Sequence, residues 1–211
     1  MESLIKEYES KRVEISKRLA CFKSQDLSEK NLFKELAFCI LTPQTRAAAA
    51  DAAIKELEHS ELLFSGNVNQ ISSVLAAHGI RFHRNKAKYI VAAREHSKVL
   101  REIVNSIKTP DDSKHARAWL AENILGIGYK EASHFLRNIG RGEDLAILDR
   151  HILNELARLG LISGKPKLSK KNYLEIEEKM AKLAEKIGAS TCELDMLFWS
   201  KHGSLPLEKM K

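Results

Sequence analysis

The stretch ILGIGYKEASHFLRNIG, Ile124–Gly140, decides the fold of this chain. Gly126 and Gly128 permit backbone conformations and close approaches that a Cβ resists, so the chain can turn sharply there between two helical segments. Amides freed at the start of the second helix then face outward, a ready site for a phosphate. The turn alone is compatible with simple helix packing. Lys130 adds chemistry: it sits in the first helical turn, where the positive end of the helix dipole disfavours a charged ammonium. A neutral amine is a nucleophile towards carbon, as Schiff-base chemistry requires. A phosphate-contacting or solvated lysine is the competing reading.

Downstream, the short apolar run LAIL precedes Asp149, and Ile152, Leu153, Leu156 and Leu159 then form a helical face. Asp149 therefore falls at a helix N-cap. A carboxylate there can also stabilise an oxocarbenium-like sugar, and capping does not exclude that task. Upstream, Ile5, Tyr8, Ile15, Leu19 and Phe22 share one face of an opening helix, and Leu32/Phe33, Leu36/Ala37 and Ile40/Leu41 form the next stripe, which Pro43 ends. Further helices are predicted from Thr45 to about Glu58, over Val68–Ala77, and after Pro110 with Asp111 or Asp112 as cap. Tyr173, Ile176, Met180, Leu183 and Ile187 make another stripe that stops at Gly188, and a last helix begins near Thr191. LAIL is isolated, so no sheet is expected. The spacing predicts an all-α fold of two helical lobes whose border it does not mark; they are drawn at approximately residues 28–112 and 1–27 plus 113–211, one functional unit with its active site expected between them.

The 211 residues carry a net charge of +7 and a pI near 9.2, a balance that favours a polyanionic partner such as nucleic acid. Arg81–Lys98 holds six Lys/Arg and one Glu, which reads as a solvated helix face or as a phosphate-facing surface. Cys21, Cys39 and Cys192 are far apart and offer no cluster suited to zinc or iron–sulfur ligation; they read as buried thiols in a reducing compartment. No apolar run approaches the ~18 residues of a membrane span. A cytoplasmic protein is expected, and solubility alone is the competing reading of the charge.

The hairpin followed by LAILDRHIL resembles the helix-hairpin-helix and aspartate signature of the endonuclease-III-like DNA glycosylases. Within that superfamily it is most similar to the archaeal-type second family of 8-oxoguanine DNA glycosylases with AP-lyase activity. LFKELAFCILTPQTRA, RFHRNKAKYI and ELDMLFW extend the resemblance over nearly the whole chain.

The resemblance implies that a damaged nucleotide is extruded from duplex DNA, Lys130 attacks C1′, the base leaves, and a Schiff base permits β-elimination with support from Asp149. It further implies that Phe82 and Trp199 sandwich the extruded base, although core packing is the other reading of Trp199. Lys211 would place its terminal carboxylate in the base pocket, facing the N7 hydrogen that distinguishes oxidised guanine; a free tail is the alternative. Gln44, in the TPQTR turn, would fill the vacated gap or merely serve the turn. His83 and Arg84 would approach the opposite base, Gly126 and Gly128 the DNA backbone. Carbonyls of Ile124 and Ile127 would hold a structural monovalent cation bridging to phosphate, with no cofactor required. Two alternatives stay open: an enzyme of the same fold acting on oxidised pyrimidines, and a non-catalytic helix-hairpin-helix module.

Overall fold

The computed structural model describes residues 1–164 and 166–202, and every regular element among them is helical. In chain order these are α1 (Glu2–Lys23), α2 (Glu29–Leu41), α3 (Ala47–His59), α4 (Leu62–Ser65), α5 (Val68–Ala77) and α6 (His83–Ala93), then α7 (Ser97–Ser106) and α8 (Pro110–Asn123). After the hairpin come α9 (Tyr129–Asn138), α10 (Arg150–Arg158), α11 (Lys170–Lys186) and α12 (Thr191–His202). The fold is all-α, as the periodicity requires.

Helix ends follow local chemistry. Ser28 caps α2, and Asn67 and Gln70 form a reciprocal capping box on α5. The start of α8 differs from expectation. Thr109 is the capping residue: its Oγ1 accepts from the Asp112 N–H at 3.2 Å, and the Asp112 carboxylate accepts from the Thr109 N–H at 2.8 Å. On α1 the buried set is Leu4, Tyr8, Ile15, Leu19 and Phe22, with Leu4 in place of Ile5. Cys21 is exposed because it points away from that stripe, whereas Cys39 and Cys192 are buried.

The chain forms two compact units. One comprises Met1–Gln25, Thr109–Lys114 and the described residues from Leu136 onward. Its axis is α12, which packs against α1, α10 and α11 and is therefore apolar nearly all round, with Cys192, Leu194, Met196, Leu197 and Phe198 buried. Lys11 donates to Ser200 Oγ at 2.8 Å, and Lys201 pairs with Glu7 at 2.7 Å, tying α1 to α12.

The other unit comprises Asp26–Lys108 and His115–Phe135. Here α2 is the buried axis, packed by α3, α6 and α7, and Leu36–Leu41 are all buried. Arg94 donates to the carbonyls of Leu62, Leu63 and Gly66 at 2.7–3.0 Å, which satisfies the end of the short α4.

This division differs from the lobes drawn on the sequence. Residues 115–135, and with them the hairpin and Lys130, group with the middle segment. Side-chain packing accounts for it. Trp119 meets His96 edge-on at 5.9 Å, the Tyr89 ring lies against Gly126, and His134 meets Phe38 edge-on at 6.0 Å. None of these contacts has a periodic signature.

Candidate active site

The hairpin runs from the end of α8 to the start of α9. Ile124 and Ile127 are buried, and the Ile127 N–H donates to the Ile124 carbonyl at 3.2 Å, closing the turn. Gly126 sits at φ +83°, and a Cβ there would lie 2.5 Å from Tyr89 Cδ2, so both backbone and neighbour demand glycine. Gly128 is not demanded in the same way, since its φ lies outside the left-handed region and a Cβ there would meet only the end of the Glu131 side chain at 3.3 Å. It precedes the first turn of α9, where its N–H donates to Glu131 Oε2 at 3.3 Å.

Lys130 is the second residue of α9 and Glu131 the third, a position from which a glutamate reaches back to the helix start. Neighbours one residue apart on a helix do not normally face each other. Because Glu131 folds back towards Gly128, its second oxygen meets Lys130 Nζ at 3.0 Å. Lys130 is thus a half-buried amine, its side chain 27% exposed, held by a carboxylate that also caps its own helix. Glycine followed three residues later by glutamate is a legible capping signal, so Glu131 was detectable in the sequence.

Asp149 lies in the other unit, at the N-cap of α10. Its Oδ1 accepts from the His151 N–H at 2.7 Å and the Ile152 N–H at 2.9 Å, which leaves Oδ2 outside the cap. The preceding LAIL run is buried and belongs to no regular element. Side chains of α11 and α12 replace the sheet. Ala146 N–H donates to Glu177 at 2.8 Å, Tyr173 OH donates to the Ala146 carbonyl at 2.6 Å, and Ile147 N–H donates to Asp195 at 3.2 Å. This satisfies a buried backbone that would otherwise destabilise the fold. The Asp149 N–H then donates to the Ile147 carbonyl at 2.6 Å, so the catalytic candidate ends a rigid rail.

Asp195 is fully buried beside Arg137, at 3.5 Å. Burial pushes its carboxyl up to about 7; the Asp149 carboxylate adds to the rise and Arg137 opposes it. The native chain therefore keeps a proton that the unfolded chain releases near pH 4, and stability falls as pH rises from about 4 towards 7, levelling above. Thermal melting across this range should show that slope flattened in Asp195→Asn. An unchanged slope would assign the effect to other groups.

The remaining candidates separate clearly. Gln44 (φ +54°) and Phe82 (φ +56°) are exposed residues in the left-handed region, Phe82 with the Arg81 guanidinium 5.3 Å from its ring. Arg84 is exposed; His83 is half-buried and its Nδ1 lies 2.9 Å from Ser72 Oγ. All four belong to the unit that carries Lys130, whereas Trp199, half-buried on α12, belongs with Asp149. Lys211 lies outside the described residues. Among the described residues, no group of three or more His, Cys, Asp or Glu side chains is placed to hold a metal ion. Backbone carbonyls at Ile124 and Ile127 would be the ligands of a hairpin cation.

Sequence reasoning missed Lys86, which lies in a basic run and reads as solvated. It is 4% exposed, and its ammonium donates to the carbonyls of Leu41 and Pro43, both at 2.8 Å, and to Thr45 Oγ1 at 2.9 Å. Burial, and then Arg81, lower it to about 8.

The model of the 8-oxoguanine DNA glycosylase family matches residues 15–189, which include the hairpin, Lys130, the LAIL rail and Asp149. The chain belongs to this family. Similarity to members of the 8-oxoguanine DNA glycosylase family extends over almost the whole length. The 8-oxoguanine DNA glycosylase/AP lyase of Fusobacterium nucleatum is 40% identical over 210 residues, 97% of this chain and 94% of that protein. The structure of Methanocaldococcus jannaschii 8-oxoguanine glycosylase/lyase in complex with a 15mer DNA containing 8-oxoguanine superposes with a TM-score of 0.86 at 38% identity, covering 97% of this chain and 99% of that one. The 8-oxoguanine DNA glycosylase of Thermotoga maritima gives a TM-score of 0.86 at 37% identity, covering 98% and 99%.

Proposed function

We propose that this chain excises 8-oxoguanine from duplex DNA and then cleaves the strand, with Lys130 as nucleophile. The observation that carries this reading is a half-buried lysine, ion-paired to Glu131, in the first turn of a helix that follows a glycine hairpin. A binding module needs the hairpin but has no use for that amine. Once the Lys130 ammonium has given a proton to the Glu131 carboxylate paired with it, the neutral amine attacks C1′, the C1′–base bond breaks, and the electron pair leaves with the base, which takes up a proton. Loss of the amine proton and opening of the sugar ring give the Schiff base. Its electron-withdrawing iminium makes the C2′ hydrogen acidic, so β-elimination expels the 3′ phosphate.

Asp149 stabilises positive charge developing at the sugar through the oxygen not spent on capping. The cost of extruding the nucleotide, a few kcal/mol, is offset by stacking of the base on Phe82 and Trp199 and by Gln44 entering the gap. Arg84 and the backbone at Gly126 and Gly128 contact the DNA, and the carbonyls of Ile124 and Ile127 would hold a monovalent cation, which would supply positive charge towards the DNA backbone. The enzyme acts as a cytoplasmic monomer and needs no redox cofactor; no described helix is long and apolar enough to cross a membrane.

Borohydride trapping on duplexes containing 8-oxoguanine, guanine, an oxidised pyrimidine or an abasic site tests the reading. A covalent adduct is expected with 8-oxoguanine and the abasic site but not with guanine. Trapping on the oxidised pyrimidine in place of 8-oxoguanine would overturn the substrate, and binding without trapping anywhere would overturn the chemistry.

A further inference from the structure

Non-glycine residues in the left-handed region are uncommon and persist where surrounding structure over-determines them. Among the described residues there are three, and two of them, Gln44 and Phe82, are the exposed tips assigned above to the vacated gap and to the extruded base. They are far apart in sequence, yet one residue bonds both to Phe82 and to the two residues that flank Gln44. The Lys86 N–H donates to the Phe82 carbonyl at 3.0 Å, forming the first hydrogen bond of α6. The Lys86 ammonium donates to the Pro43 carbonyl and to Thr45 Oγ1, the residues on either side of Gln44, and to the Leu41 carbonyl at the end of α2.

We infer that Lys86 is a positioning residue that couples the Gln44 turn to the Phe82 tip, so that the gap-filling and base-stacking ends of the DNA-facing surface are held as one rigid piece. The inference rests on the roles given to Gln44 and Phe82 under the proposed function. Three acceptors converge on one ammonium, and an ammonium has three hydrogens, so the clamp saturates its donor. Methionine at this position keeps the packing volume but removes the ammonium from both carbonyls, leaving Pro43 only the Thr45 hydroxyl at 3.4 Å. The turn then loses the constraint that holds Gln44 in a conformation its own Cβ resists, and pre-organisation for insertion is lost.

The test uses a duplex with 8-oxoguanine opposite 2-aminopurine, whose fluorescence reports on the orphaned base, alongside single-turnover excision from 8-oxoguanine opposite cytosine. The wild-type protein should change the fluorescence on binding and excise the lesion. Lys86→Met should lose the fluorescence response and slow excision about tenfold, with DNA affinity within about threefold and an unchanged circular dichroism spectrum. Gln44→Ala should reproduce the loss, and Lys86→Met added to Gln44→Ala should change neither signal further, because both act through one turn.

If Lys86→Met fails to fold, Thr45→Val removes one acceptor while keeping the buried lysine, and a reduced fluorescence response is expected. An unaltered response in a folded variant, or additive effects with Gln44→Ala, would overturn the coupling. A wild-type protein that excises 8-oxoguanine without any fluorescence change would overturn it too, leaving the proposed function intact. Failure of the wild type to excise the lesion would instead overturn that function.

Discussion

Lys130→Gln should abolish borohydride trapping and lower excision at least ~10³-fold, because the group that forms the bond to C1′ is gone. The protein should fold as before. Lys130 is partly exposed, so its pair with Glu131 is screened and contributes at most ~1 kcal/mol. A glutamine amide can still donate to the Glu131 carboxylate, which leaves the cap at Gly128 in place. DNA affinity should stay within a few-fold, since the substitution removes one charge from a strongly basic protein. Trapping with 8-oxoguanine and abasic duplexes, run beside a binding titration, separates the two properties. Full lyase activity in this variant would move the nucleophile elsewhere.

Asp149→Asn should lower base excision by ~10²–10³-fold while leaving thermal stability nearly unchanged. The dissociation of the two effects follows from the two oxygens. Oδ1 accepts from the His151 and Ile152 amides, a task the asparagine carbonyl performs equally well at an N-cap. What asparagine lacks is the negative charge that opposes positive charge developing at the sugar. Asp149→Ala should lose both, with a further destabilisation of about 1 kcal/mol from the missing cap. Single-turnover excision and thermal melting on the two variants read the difference. Wild-type excision by Asp149→Asn would reduce the residue to its capping role.

The residues whose places in the fold were legible in the sequence share one property: their signals are local. Gly126, Gly128 and Lys130 lie within five positions, and Asp149 directly precedes an apolar helical face. Capping and hairpin chemistry act over three or four residues, so spacing alone carries them. LAIL was legible as an apolar run but not as a rail, because Tyr173, Glu177 and Asp195, which satisfy its backbone, follow 25 or more positions after it in a helical pattern that marks only apolar faces. The exposure of Cys21 was a matter of which face of α1 it occupies, and the stripe of Tyr8, Ile15, Leu19 and Phe22 already contained that answer.

By itself the sequence determined the all-α class, the hairpin, the lysine at the start of α9 and the aspartate cap of α10, since helix periodicity, turn geometry and N-capping are set by near neighbours. Only the tertiary structure decided that residues 115–135 pack with the middle segment, that Asp195 holds the LAIL rail beside Arg137, and that Lys86 is a buried clamp on the Gln44 turn. A lysine in a basic run and an aspartate in a helix look solvated in one dimension. Their desolvation, and the distant carbonyls and amides that compensate it, exist only once the chain has closed on itself.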